Sequence, residues 1–196
     1  MDQYRPVRYE RLHAANWEEA ALETVAASGL RTLTIPALAE SLGVTKGSFY
    51  WHFDSIDSLI ASALRRWEAA DRETLDELAK ISDPARRLRS AFEEAIRLER
   101  SQALYVTLTA TSADPAVAQV LRRVSQRRIR FLAAAYRELG FAPAGAKERA
   151  LLAYTAYLGM IHLRRQSIEG VRTGRELQAY VAHAERTLIP KRRRSP

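Results

Sequence analysis

The sequence predicts an all-α protein of about nine helices, and three observations predict it. Alanine, the strongest helix former, takes 33 of the 196 positions, while Gly (8) and Pro (7) are scarce. Between the breaks, apolar residues recur at helical rather than alternating spacing. The breaks fall at Gly29, Gly43, Ser82-Asp83-Pro84, Ala113-Asp114-Pro115, Gly140 to Gly145 and Gly170 to Gly174. No internal repeat or low-complexity segment interrupts the pattern.

In chain order, Ala21, Leu22, Val25 and Ala26 form one apolar stripe, closed by Gly29 as a C-terminal cap. Ile60, Leu64, Trp67, Leu75 and Leu78 mark a long helix over about 56–80. Leu88, Phe92 and Ile96 mark another, and Leu104 with Leu108 a short one after it. Val117 through Leu139 carry one stripe along a helix of about 25 residues. Two more helices are expected near 147–168 and 174–189.

Composition removes several functions. Cysteine is absent, which excludes disulfide scaffolds, thiol redox sensing and thiolate chemistry. The four histidines (His13, His52, His162 and His183) include no pair three to five residues apart, so no metal site and no cofactor are expected. No carboxylate pair or Ser/Thr–His–carboxylate order suggests an enzyme. No run of 18 apolar residues appears and the first residues lack an apolar signal core, so a soluble, cytoplasmic chain away from membranes is expected. Net charge is +8, but residues 1–56 hold five Lys/Arg against seven Asp/Glu, a balance of −2. If that part binds a nucleic acid, individual residues do it rather than a bulk field.

The informative segment is 33–53. Thr34 is suited to N-cap a short helix, with Pro36 in its first turn and Leu33 and Leu38 placed as a hydrophobic staple. Gly43 ends that helix, and the grammar repeats: Thr45 caps, Val44 and Phe49 staple, and a second helix runs to about Phe53. Two short helices around a tight Gly-containing turn make a helix-turn-helix. Phe49 and Phe53 point together into the core, leaving Lys46, Gly47 and Ser48 at the tip and Tyr50, Trp51 and His52 along the outer side. In this motif the tip of the second helix enters the major groove. Lys46 can donate to guanine or phosphate, Ser48 can pair with either base type, and Gly47 permits close backbone approach. Tyr50 and His52 can donate to phosphates.

Residues 11–60 resemble the DNA-binding domain of the TetR (tetracycline repressor) family of bacterial regulators. The matching features are Ala20-Ala21-Leu22 with Ser28-Gly29, Leu33-Thr34 with Leu38-Ala39, Leu42-Gly43-Val44, and the block Lys46-Gly47-Ser48-Phe49-Tyr50-Trp51-His52-Phe53. The family commonly has Lys at the start of the fourth helix, where this chain has Ile56; Arg5, Arg8 and Arg11 are candidates to compensate. The resemblance implies a DNA-binding domain over 11–71 with its motif at 34–53, and a ligand-binding and dimerisation domain over 72–190. A basic tail follows at 191–196. It further implies a homodimeric repressor released from double-stranded operator DNA by a small organic effector. The DNA-contacting set is then Thr34, Thr45, Lys46, Gly47, Ser48, Tyr50, Trp51 and His52.

The same resemblance implies a cavity within the helices from 58 to 139, closed by the helix at 147–168. Candidate lining residues are Trp67, Phe92, Ile96, Leu104, Leu108, Val124 and Phe131, with polar handles from Tyr105, Thr107, Thr111 and Tyr154. Such a lining suits a hydrophobic or aromatic organic molecule. In the last two helices, Leu177, Val181, Ala184 and Leu188 have the period of a helix-helix seam. Ala153, Ala156 and Gly159 lay a small-residue stripe along the preceding helix, so the two helices from each subunit can form a four-helix dimer interface. The competing reading is a helical ligand-binding or adaptor module that has lost specific DNA reading, prompted by the −2 balance and by Ile56.

Overall fold

The computed structural model describes residues 12–110 and 114–190, where the small polar side chains of Thr34, Ser55, Asp83, Asp114 and Thr173 each cap the start of a helix. The described residues contain nine α-helices and no strand. They are α1 (Ala14–Ser28), α2 (Ile35–Ser41), α3 (Lys46–Phe49), α4 (Ile56–Ala79), α5 (Pro84–Arg97), α6 (Glu99–Ala110), α7 (Pro115–Glu138), α8 (Pro143–Arg165) and α9 (Gly174–Leu188), with one turn of 3-10 helix at Leu30–Thr32. The carboxylate of Asp83 accepts the Arg86 N–H at 2.8 Å, and that of Asp114 accepts Ala116 at 2.8 Å and Val117 at 3.3 Å. Proline occupies the first position of α5, α7 and α8, where its missing N–H leaves no intrahelical bond unmade. Thr173 and Glu176 form a reciprocal capping box at α9.

Three expectations are corrected here. The second helix of the motif stops at Phe49 instead of running to Phe53; a turn follows, held by the Phe53 N–H donating to the Phe49 carbonyl at 3.0 Å. Thr45 stands at the N-cap position with extended backbone, but its side chain makes no cap bond. Gly145 is not a break: α8 begins at Pro143 and carries Gly145 in its first turn.

Two buried clusters organise the packing. The first runs from Trp17, Phe49 and Leu59 through Leu104 and Leu108 to Val117 and Val124, joining α1–α4 to α6 and α7. The second holds Leu88, Leu132, Tyr136, Tyr154 and Leu188 around Ala135, Ala146, Ala150 and Ala153. Those fully buried alanines bring α7 and α8 into close contact along much of their length. The expected division after residue 71 falls inside α4, which continues unbroken to Ala79. Its first half packs on α1, and its second half faces α5 and α7. No helix of the described residues is long and apolar enough to cross a membrane.

Candidate nucleic-acid interface and effector cavity

The helix-turn-helix is assembled by local bonds. The Thr34 hydroxyl accepts the Ala37 N–H at 3.4 Å, and Leu33 and Leu38 are both buried. At the end of α2, the N–H of Val44 donates to Ala39 at 2.9 Å and that of Gly43 to Glu40 at 3.0 Å. This paired arrangement needs a left-handed residue, and Gly43 supplies it with φ +67°. The tight turn thus fixes where α3 leaves α2.

Phe49 is completely buried and fixes which side of α3 faces inward. Its ring meets the buried Trp17 of α1 edge-on at 5.3 Å, and Phe53 lies 5.8 Å away. With that face locked, Thr45, Lys46, Gly47 and Tyr50 are exposed, and Ser48 and His52 are half-buried at the rim. Trp51 is 85% exposed, an unusual position for the largest apolar side chain in a monomer's own surface. Thr34 is exposed on the same motif. Ile56 is half-buried and packs against the core, which explains an apolar residue there. The start of α4 is instead capped by Ser55, whose hydroxyl accepts the Ser58 N–H at 3.1 Å. Arg5, Arg8, Arg11, Thr111 and the tail from Lys191 lie outside the described residues.

Further along, α4, α5, α7, α8 and α9 enclose a cavity of about 110 Å³. Its wall is largely apolar: Leu75 and Leu78 of α4, Phe92 and Ile96 of α5, Phe131 of α7 and Met160 of α8. Tyr154, Tyr157 and Tyr180 add aromatic surface. The charged members are Asp71, Glu94 and Arg128. Arg128 donates through Nε to Asp71 Oδ1 at 2.7 Å, and both side chains are nearly buried. Behind them, the Glu68 carboxylate receives three bonds from Arg123, two of them shared by its Nε–H, and one from Arg127.

These contacts set the protonation. The hydrogen bond from Arg123 holds the Glu68 carboxyl below its ordinary range, despite opposing burial. Burial works most strongly against the charge of Arg128, but the Asp71 carboxylate together with the Tyr157 and Tyr154 hydroxyls outweighs it, so the guanidinium stays protonated. Burial also pushes the Tyr154 hydroxyl up. That hydroxyl sits 3.1 Å from Ser125 Oγ and donates to the Tyr105 hydroxyl at 3.2 Å, so it is used within the chain.

Of the expected lining set, Phe92, Ile96, Phe131 and Tyr154 do line the cavity. Trp67, Leu104, Tyr105, Thr107, Leu108 and Val124 stand outside its wall. The apolar members Trp67, Leu104, Leu108 and Val124 sit in the core that ties α6 and α7 to α1 and α4. Two of the outer residues, Trp67 and Tyr105, still hydrogen-bond to lining residues, Tyr105 through the Tyr154 hydroxyl. The Trp67 indole donates to Ser101 Oγ at 3.1 Å, and Ser101 lines the cavity. Arg128, Asp71 and Tyr157 carry no local signal in the sequence, and Leu75 is legible there only as part of the apolar stripe of α4. Among the expected seam residues, Ala156, Val181, Ala184 and Leu188 line the cavity, and Leu177 is buried in the chain's own core. Gly159 is exposed on α8, on the side that also presents Leu152, Thr155 and Leu163.

A four-residue recognition helix on a three-helix head, joined by α4 to a helical body with a cavity, is the architecture of a helix-turn-helix transcription regulator. Residues 19–63 match the family model described as bacterial regulatory proteins, tetR family, and this segment belongs to that DNA-binding family. The fold of the whole chain agrees. A transcriptional regulator from Rhodococcus sp. Rha1 is similar at 23% identity, covering 91% of this chain and 94% of that one, with a TM-score of 0.72. NemR of E. coli in its reduced form is 19% identical over 92% and 98% of the two chains, TM-score 0.74. A transcriptional regulator from Saccharomonospora viridis in complex with choline is 20% identical over 89% and 92%, TM-score 0.74. No curated protein matches the chain.

Proposed function

We propose that the protein is a dimeric, sequence-specific transcriptional repressor, released from an inverted-repeat operator by a small organic effector. The observation that carries the reading is the split of α3: Phe49 locked against Trp17 on one side, Lys46, Gly47, Tyr50 and Trp51 exposed on the other. In this arrangement Lys46 and Ser48 meet base edges, and Thr34, Thr45, Tyr50 and His52 meet backbone phosphates. Trp51 packs its ring on the sugar-phosphate edge, which accounts for its exposure without a partner in the chain. Ile56 serves the core and is no sign of a lost reading head, so the adaptor reading gains nothing from it.

Dimerisation is assigned to the outer face of α8. Leu152, Thr155, Gly159 and Leu163 recur every three or four residues there, with Leu151 beside them. Leu151, Leu152 and Leu163 are 49%, 56% and 41% exposed, and a contiguous apolar stripe of this kind marks a contact surface. The division into a reading head over 11–71 and an effector and dimer body over 72–190 follows, with α4 shared by both. A small organic effector is assigned to the cavity; the Saccharomonospora viridis regulator of the same fold is in complex with choline. Two routes join cavity and head: α4 itself, and α6, whose Arg100 pairs with Glu19 of α1 and whose Ser101 holds Trp67.

The test is selection of bound duplexes from a random pool. An enriched inverted repeat supports the reading, and a pool that stays random contradicts it.

A further inference from the structure

We propose that the effector is a small carboxylate with an apolar body, its carboxylate received by Arg128; the inference rests on the effector-cavity reading above. A guanidinium has five N–H donors. In Arg128, Nε is committed to Asp71 at 2.7 Å. The terminal N–H groups lie beside the Tyr157 hydroxyl, and the guanidinium sits 5.7 Å from the centre of the Tyr105 ring. Arg128 lines the cavity, so the remaining donors are left to whatever occupies it.

The local charge points the same way. Around Arg128, two carboxylates (Glu68 and Asp71) stand against three guanidiniums (Arg123, Arg127 and Arg128), linked by ion pairs of 2.7 to 3.6 Å. The cluster carries one more positive than negative charge, and of its three guanidiniums Arg128 is the most buried. The other carboxylate in the wall, Glu94, has its own partner in Arg97 at 3.5 Å. A ligand anion completes the count, with bidentate geometry available to a carboxylate.

A cation would meet Glu94 in this wall, which already faces Arg97 at 3.5 Å, while the buried Asp71 Oδ2 has no accessible surface for a ligand to reach. Beside Arg128 in the same lining, the wall offers Phe92, Phe131, Leu75, Leu78 and Val181 to an apolar body. At about 110 Å³ the space is of the order of the ~150 Å³ apolar cavity that takes up benzene, so one ring with a short acid chain is the expected scale.

The experiment is calorimetric titration of the full-length protein with 3-phenylpropanoate, 3-phenylpropan-1-ol, 3-phenylpropylammonium and choline. The expected result is that the acid binds at least about tenfold tighter than the alcohol, the ion-pair worth of about 1.4 kcal/mol, and that both cations bind more weakly than the alcohol. Arg128→Gln is expected to bring the acid down to the level of the alcohol; if that variant does not fold, the wild-type series decides alone. Binding of the alcohol with no gain for the acid, or tighter binding of either cation, overturns the carboxylate assignment and leaves the effector cavity standing. Failure of all four probes to bind overturns both.

Discussion

Phe49 and Lys46 sit three residues apart and do opposite things. Phe49 has no exposed surface, and its fit against Trp17 sets the rotation of α3. Lys46 follows from that rotation onto the outer tip, with no ion pair among the described residues. Lys46→Ala is therefore expected to leave the melting temperature unchanged and weaken operator binding by roughly 1–3 kcal/mol, relaxing preference at one base position. Tyr50→Phe removes a phosphate donor and is expected to weaken all sequences alike. Binding of each variant to a panel of operator point variants separates the two; identical profiles for wild type and Lys46→Ala would show that α3 does not read bases.

Among the elements, α7 carries a titration that reaches the solution properties of the molecule. Tyr136 is completely buried, its ring lies edge-on to Phe141 at 6.0 Å, and its hydroxyl has no hydrogen-bond partner among the described residues. Burial pushes that hydroxyl up to about 12. A raised folded-state pKa means that the folded chain holds its proton longer than the unfolded chain. The stability it confers is fully present below pH 10 and is lost as pH rises from 10 through about 12. Tyr136→Phe removes the unmatched polar atom and keeps the ring, so stability at pH 7 is expected to hold or rise by up to about 1 kcal/mol. Denaturant midpoints measured from pH 8 to 12 are expected to fall less steeply in the variant; parallel curves would exclude this role.

The elements also show what a sequence alone discloses. The caps at Thr34, Asp83, Asp114 and Thr173, the Gly43 turn and the staple of Leu33 and Leu38 are contacts within five residues, so their residue types declare them. The end of α3 is not legible in the sequence: Phe49 and Phe53 keep helical spacing and a helix-like bond between them, while Tyr50 to His52 form a turn. Cavity and core were not separable by periodicity. Trp67 and Leu75 share one stripe of α4, yet only Leu75 lines the cavity, because that depends on where α5 and α9 come to rest. For the same reason Leu177, Val181, Ala184 and Leu188 have a seam's spacing while facing their own subunit. The pairing of Arg128 with Asp71 spans 57 residues and leaves no local trace.

At the scale of the whole molecule, one short reading helix per chain meets too few bases, so a two-fold pair is required. Its half-sites are expected about 34–36 Å apart or somewhat more. Leu152→Glu places a charge in the exposed α8 stripe and is expected to yield a folded monomer by light scattering, with specific DNA binding lost; an intact dimer would remove α8 from the interface. Effector response runs through the α4 and α6 routes, and by linkage operator DNA weakens the effector by the factor with which the effector weakens DNA. Phe92→Ala is expected to alter the response to ligand while leaving ligand-free operator affinity within about twofold, because Phe92 lines the cavity far from α3 in the chain. Equal ligand affinity for free and operator-bound protein would contradict that linkage.

The most direct test of a sequence-reading dimer is a fluorescence titration of three duplexes at two salt concentrations: the selected inverted repeat, one half-site alone, and a shuffled control. Two chains per inverted repeat, with binding at least about 10³-fold tighter than to the shuffled duplex and weaker at the higher salt, is the predicted outcome. Equal affinity for the inverted repeat and the shuffled duplex at both salts would contradict it.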